Sequence, residues 1–86
     1  MAYTNPALVT SPKGRLSNLK VLFDGGEHEW SMAKMTWEGE DRVGVRWNGG
    51  ENDSPLGNPQ SRGIPTWFLL PAEIAELALV WVAEKK

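Results

Sequence analysis

The chain contains no cysteine, and it has one histidine among its 86 residues. Disulfides, thiolate metal sites and cysteine nucleophiles are therefore excluded. A zinc site needs several nitrogen or sulfur ligands, and His28 is a single one. The acidic residues lack the spacing of a calcium loop, and the glycines match neither a phosphate-binding nor a dinucleotide-binding motif. We therefore expect no catalytic residues, no metal and no cofactor, with His28 as a solvated loop residue.

An excess of positive charge is also lacking. The formal net charge is -2 and the pI is about 5.3. Binding to nucleic acid through bulk electrostatics is therefore disfavoured, because phosphate contacts need clustered lysine and arginine. No apolar run reaches the roughly 18 residues of a membrane span, and residues 1–17 lack the pattern of a secretory signal. We expect a soluble protein that does not enter membranes, with the cytoplasm as its default location.

Apolar residues recur with the period of a β-strand in three segments. This alternation predicts strands over residues 19–24, 30–37 and 42–47, and the second segment fits a short helix nearly as well. A continuous apolar run over residues 67–70, which Pro71 ends, predicts a fourth and well-buried strand.

The segment after Pro71 has the pattern of a helix over residues 72–84. Proline stands at its start and Lys85 and Lys86 follow its end, as the helix dipole favours. At the spacing i, i+3, i+4 and i+7, the expected core stripe is Ile74, Leu77, Ala78 and Trp81.

The apolar arc of this helix covers about 200°, which is wider than a minimal stripe facing a core. One face of a small sheet rarely covers so wide an arc, so we expect part of the helix to contact a second copy or a partner. The predicted interface consists of Leu79, Val80 and Val82, and a homodimer is the expected assembly. In the alternative, the amino-terminal segment or strand residues wrap the helix and cover the excess.

These elements predict an α+β fold, in which a small curved antiparallel sheet of three or four strands has the C-terminal helix packed on one face. The alternative is an SH3-like small barrel plus a C-terminal helix, since short strands joined by glycine turns suit it. Residues 1–17 are expected to form an extended or flexible arm. Residues 18–86 are expected to form a single domain with a long loop at 48–66.

The long loop at residues 48–66 is rich in glycine and proline, and its only apolar side chains besides proline are Leu56 and Ile64. No regular strand or helix is expected there. Long loops on rigid scaffolds often carry function, and disorder is the alternative. The candidate partner-binding residues of the loop and its exit are Asn58, Gln60, Ser61, Arg62 and Trp67.

The third predicted strand places Arg42 and Arg46 opposite Val43, Val45 and Trp47. If the second set faces the helix, both arginines are solvated, close to a tryptophan of the neighbouring strand. Arginine beside an aromatic ring suits anionic or planar partners. In the alternative, the arginines only pair with nearby carboxylates at the sheet surface.

Three functions therefore compete. The first is a small non-catalytic binding or regulatory protein that acts through the loop and contacts a protein partner or a second copy. The second is a nucleic-acid-binding domain, whose binding face must gather Lys34, Arg42, Arg46 and Arg62 away from acidic residues. The third is a minimal enzyme, which requires His28 to lie in a pocket with a carboxylate partner.

Overall fold

The computed structural model describes residues 3–85. Three longer strands, β1 (Leu16–Asp24), β2 (Trp30–Trp37) and β3 (Glu40–Trp47), and a short edge strand, β6 (Phe68–Leu69), form one antiparallel sheet in the order β1-β2-β3-β6. Two further short strands, β4 (Gln60–Ser61) and β5 (Ile64–Pro65), pair in a separate hairpin. The α+β prediction is confirmed, and because β1 and β6 are the edges of an open sheet, the barrel alternative is wrong. In chain order the elements are a 3-10 helix (Pro6–Leu8), β1 (Leu16–Asp24), β2 (Trp30–Trp37), β3 (Glu40–Trp47), β4 (Gln60–Ser61), β5 (Ile64–Pro65), β6 (Phe68–Leu69) and α1 (Ala72–Glu84).

Each face of the sheet carries its own hydrophobic core. On one, which we name the helix face, Val82 of α1 packs with Met32 and Val43. On the other, which we name the arm face, Ala33 packs in a cluster with the buried Trp67. Because successive side chains of a strand point to opposite faces, Met32 and Ala33 enter different cores. The result is three layers, in which the sheet lies between α1 and a layer built from the amino-terminal segment and Trp67.

The amino-terminal segment packs on the arm face over residues 3–15. Val9 is buried, and its carbonyl oxygen accepts a hydrogen bond of 2.8 Å from the indole nitrogen of Trp67. The amide of Thr4 donates to the carbonyl of Asn48 at 3.0 Å. β1 begins at Leu16, so the predicted boundary between arm and domain falls inside a strand. Met1 and Ala2, which belong to the predicted arm, lie outside the described residues.

Strand β1 does not keep the simple alternation that its sequence predicts. Its pairing with β2 shifts register between Ser17 and Lys20 and again between Val21 and Phe23. As a result Val21 packs against the arm-face core, whereas Phe23 packs against the helix-face core. A β-bulge of this kind changes which face the following side chains reach.

The first residue of the predicted loop is part of the core. Asn48 is fully buried, and its side-chain amide donates to the carbonyl of Gly26 at 2.8 Å and to Oδ1 of Asp24 at 3.1 Å. Its Oδ1 accepts a hydrogen bond of 2.8 Å from the hydroxyl of Ser31. Later in the loop, β4 and β5 form a short hairpin, so the expectation of no regular strand is wrong there.

Helix α1 has the predicted bounds, but its core stripe is rotated by one residue. The residues packed on the sheet are Ala75, Ala78, Leu79 and Val82. Ile74 and Leu77, which were predicted to be core, are 51% and 70% exposed. The spacing of the stripe follows from helix geometry, but a wide apolar arc does not specify which part faces the sheet. Within residues 3–85, no helix has the length and hydropathy that a membrane crossing requires.

Candidate partner-binding groove

Strand pairing brings four large apolar side chains together at one end of the helix face. Trp30 at the start of β2 pairs with Trp47 at the end of β3, and Val45 pairs with Phe68 of β6. Paired residues of an antiparallel ladder point to the same face, as do residues two apart on one strand. Three aromatic rings therefore surround Val45.

These side chains line an open groove of about 490 Å³. Trp47 is 57% exposed and Phe68 is 61% exposed. Adjacent exposed aromatic residues are unusual, because a single Trp or Phe side chain carries a large apolar area, and such patches mark interaction sites. The residues that line the groove are Trp30, Val45, Arg46, Trp47, Asn58, Pro59 and Phe68.

The loop forms one wall of the groove through Asn58 and Pro59. The amide of Trp47 donates to the carbonyl of Asn58 at 2.7 Å, and the amide of Asn58 donates back to the carbonyl of Trp47 at 3.1 Å. The carbonyl of Pro59 accepts a hydrogen bond of 3.0 Å from the amide of Thr66. The wall is thus continuous with the hydrogen bonding of β3.

Arg46 anchors the loop from the arm face. Its guanidinium donates to the carbonyl of Thr66 at 2.6 Å and to the carbonyl of Leu56. It is 2% exposed, its Nε has no hydrogen-bond partner within residues 3–85, and it forms no ion pair with a carboxylate in that range. Burial lowers the pKa of the Arg46 guanidinium, because the charged form loses water.

The prediction that Arg46 lies on a solvated face is therefore wrong. The amino-terminal segment, the loop and Trp67 cover that face. Gly44 illustrates the same point, because a Cβ there would lie 3.0 Å from Cβ of Trp67, so no ligand has room to approach the strand. Arg42 is half-buried and donates to the carbonyl of Leu70 at 3.3 Å.

Of the predicted loop residues, the structure places only Asn58 in the groove. Gln60 is exposed, and its side-chain amide donates to the carbonyl of Gly57 at 2.7 Å. Ser61 and Arg62 lie exposed on the β4–β5 hairpin. Trp67 is buried in the arm-face core, so its predicted contact with a partner is wrong for the domain as folded.

Sequence reasoning missed most of the groove. Trp47 and Val45 were placed correctly on the helix face, but were expected to lie under the helix. Phe68 was expected to be well buried, and it is exposed because α1 covers the sheet around Met32 and Val43 instead. The available signal was the tryptophan content, five among 86 residues, because tryptophan is enriched at binding hot spots.

The three residues predicted as an oligomer interface have different environments. Val82 is buried in the helix-face core, so this part of the prediction is wrong. Leu79 is half-buried against the same core, and Val80 is exposed. The outward-facing apolar residues of α1 are Ile74, Leu77 and Val80.

The remaining polar residues do not assemble the other predicted sites. His28 Nε2 lies 3.7 Å from Oε2 of Glu27, both side chains are well exposed, and neither lines the groove. Among the residues from 3 to 85, no three His, Asp or Glu side chains gather as potential metal ligands. Lys34 and Arg42 share a second groove of about 270 Å³ with two acidic residues, Asp41 and Glu76.

The aromatic groove must be interpreted from its own chemistry. No family model, curated protein or solved structure matches the chain. The groove lining combines aromatic rings, Val45 and Pro59 with two polar residues, Arg46 and Asn58, and it includes no carboxylate. Mostly apolar walls with a few polar groups are typical of sites that take peptides or small apolar ligands.

Proposed function

We propose that the protein is a small non-catalytic binding domain that recognises a protein partner through the groove around Trp30, Trp47 and Phe68. The main support for this proposal is the exposure of the Trp47 and Phe68 rings. Covering their exposed parts would remove roughly 200 Å² of apolar surface from water. That burial is worth about 5 kcal/mol before the costs of association, which is enough to matter for affinity.

In this proposal the loop acts mainly as a wall. Asn58 and Pro59 shape the groove, and the Arg46 guanidinium holds the loop against β3. Gln60, Ser61 and Arg62 follow Pro59 on an exposed hairpin. They are candidates for contacts with a partner that extends beyond the groove.

A nucleic-acid partner is less well supported. That function needed four basic residues on one face, but Arg46 is buried on the arm face. Lys34 and Arg42 share their groove with Asp41 and Glu76, whose charge opposes phosphate binding. Exposed aromatic rings can also stack on bases, so an oligonucleotide belongs among the probes.

Affinity selection tests the proposed groove directly. A random peptide display library is panned on the wild-type protein, and recovered peptides are measured against Trp47→Ala and Phe68→Ala. We expect each variant to weaken binding at least about tenfold, which corresponds to about 1.4 kcal/mol. Leu8→Ala is the matched control, because Leu8 is an exposed apolar residue in the amino-terminal segment, away from the groove. Peptides that bind all three variants equally, or a library that yields none, would refute the site.

We also propose that the outward face of α1 pairs two copies of the chain. Ile74, Leu77 and Val80 are each more than half exposed, and a twofold axis would place this face against its own copy. This assembly leaves the predicted residue Val80 at the interface, with Leu79 beside it and Val82 in the core.

Val80→Glu tests the dimer. We expect the mass measured by light scattering to fall from two chains to one, because the substitution buries a charge at the interface. The free energy of unfolding of the monomer should change by only about 0.5 kcal/mol, as for other surface substitutions. Leu8→Glu is the control, since it adds the same charge at an exposed apolar residue outside α1. A wild-type protein with the mass of one chain would rule the dimer out.

A further inference from the structure

We propose that the groove binds an extended, proline-containing segment of a partner in the polyproline II conformation. This inference rests on the proposed function, since it specifies the ligand for the same groove. Three properties of the lining support it: unpaired hydrogen-bond donors, acceptors that are already paired, and exposed aromatic rings.

Three of the residues that line the groove carry side-chain donors without partners among residues 3–85. Of the tryptophans within residues 3–85, only Trp67 has a hydrogen-bonded indole nitrogen, which donates to Val9. The indole nitrogens of Trp30 and Trp47 form no such bond within these residues, and that of Trp30 is not fully buried. The side-chain amide of Asn58 also has no partner within the described residues, and Asn58 is exposed.

Three backbone acceptors along the loop side of the groove are already paired. The carbonyls of Trp47, Asn58 and Pro59 accept hydrogen bonds from Asn58, Trp47 and Thr66 at 3.1, 2.7 and 3.0 Å. An ordinary peptide would bring amide N–H groups that lose water here without gaining an acceptor, which is unfavourable. Proline has a carbonyl but no N–H, so a proline segment offers acceptors to the free indole donors.

The aromatic rings complement such a segment in shape. Polyproline II is a left-handed helix with three residues per turn, has no internal hydrogen bonds and is largely preformed in proline-rich chains. Its rings dock in grooves lined by aromatic side chains, with little loss of conformational entropy. Trp47 and Phe68 present more than half of their surfaces for these contacts.

The positive charge of Lys85 favours an acidic residue next to the prolines of the bound segment. The ring of Trp81 packs 5.1 Å from that of Trp30, and Nζ of Lys85 lies 4.7 Å from the centroid of the Trp81 ring. Lys85 forms no ion pair with any residue between 3 and 85. A positive charge therefore lies near the Trp30 end of a groove that has no carboxylate in its lining.

Indole N–H signals in ¹H–¹⁵N NMR spectra test the proposal. The signals are assigned with single Trp→Phe variants, and the wild-type chain is titrated with decaproline. We expect the signals of Trp30 and Trp47 to shift and that of Trp67 to stay, because the Trp67 indole is buried and already hydrogen-bonded. Phe68→Ala should weaken binding at least tenfold, whereas Leu8→Ala should leave it unchanged. Trp47→Phe, which keeps a ring but removes the donor, should weaken binding several-fold.

Three further probes identify the ligand chemistry. A glycine-serine peptide of the same length supplies N–H groups, decathymidylate supplies bases and phosphates, and decaproline followed by two glutamates tests the charge. We expect decaproline to bind more tightly than the first two probes. The glutamates should strengthen binding, and Lys85→Ala should remove that gain. Equal binding of the glycine-serine peptide, binding of decathymidylate alone, or decaproline shifts confined to other tryptophans would overturn the inference.

Failure of the decaproline titration can be distinguished from failure of the peptide selection. Selected peptides that lack proline, and that still lose binding to Trp47→Ala and Phe68→Ala, would preserve the binding groove and overturn its assignment to proline segments. Failure of both experiments would remove the groove as a site.

Discussion

Trp67→Ala is expected to lower the free energy of unfolding by about 3–5 kcal/mol, as large-to-small substitutions in a core do. The indole ring lies in the arm-face core with Val9, Leu16 and Ala33, and its nitrogen donates to the carbonyl of Val9. The substitution leaves a cavity where the ring lay and leaves that carbonyl without its donor. Because the amino-terminal segment packs on this ring, we expect it to detach before the rest of the domain unfolds.

Urea denaturation, followed by circular dichroism, measures this loss. Trp47→Ala is the matched control, because it removes the same side chain from an exposed position and should cost about 1 kcal/mol or less. Trp67→Phe separates the contribution of ring packing from that of the hydrogen bond, since it retains most of the ring but not the indole N–H. Equal losses for the alanine variants of Trp67 and Trp47 would contradict the assignment of one to the core and the other to the groove.

Gly57→Ala is expected to cost about 3 kcal/mol or more, although it adds only a methyl group. Gly57 has a φ of 67°, where a residue with a side chain loses roughly 1–2 kcal/mol. A Cβ there would overlap the carbonyl oxygen of Trp47 and lie 2.7 Å from Nη2 of Arg46. Because the overlap is with backbone, no side-chain rotation relieves it. The loop must move away from β3, which breaks the pairing of Trp47 with Asn58.

Gly63→Ala is the control for the backbone strain alone. Gly63 has a φ of 78°, but a Cβ there meets no atom within 4 Å. Gly63→Ala should therefore cost only this backbone strain, roughly 1–2 kcal/mol. Urea denaturation measures both variants, and the NMR signal of the Trp47 indole reports displacement of the groove wall. Similar losses for the two glycines would show that the loop is not held tightly against β3.

Local sequence patterns predicted the secondary structure better than the environment of individual side chains. The strand alternation over residues 30–37 and the helix over residues 72–84 are both present as predicted. The arm-face role of Trp67 and the burial of Arg46 were not predicted, because both depend on segments distant in the chain. Val9, which accepts the hydrogen bond of Trp67, lies 58 residues away.

For the candidate groove too, the sequence predicted the face on which side chains lie but not which of them stay exposed. Alternation along β3 placed Val45 and Trp47 on the helix face, which is correct. It could not show that α1 would cover Met32 and Val43 and leave Trp47 and Phe68 uncovered. That outcome depends on the position and rotation of α1, and neither is specified by a periodic pattern.

The sequence by itself therefore determined the fold class, the main strands and the bounds of α1, because strand and helix periods and the proline at the helix start act over a few residues. Tertiary structure alone decided which apolar surfaces stay exposed. A wide apolar arc on α1 and a tryptophan-rich sheet can pack in several ways, and the way they do pack depends on the whole core. That packing buries Arg46 and Trp67, and it exposes the aromatic rings of Trp47 and Phe68 that we propose as the binding groove.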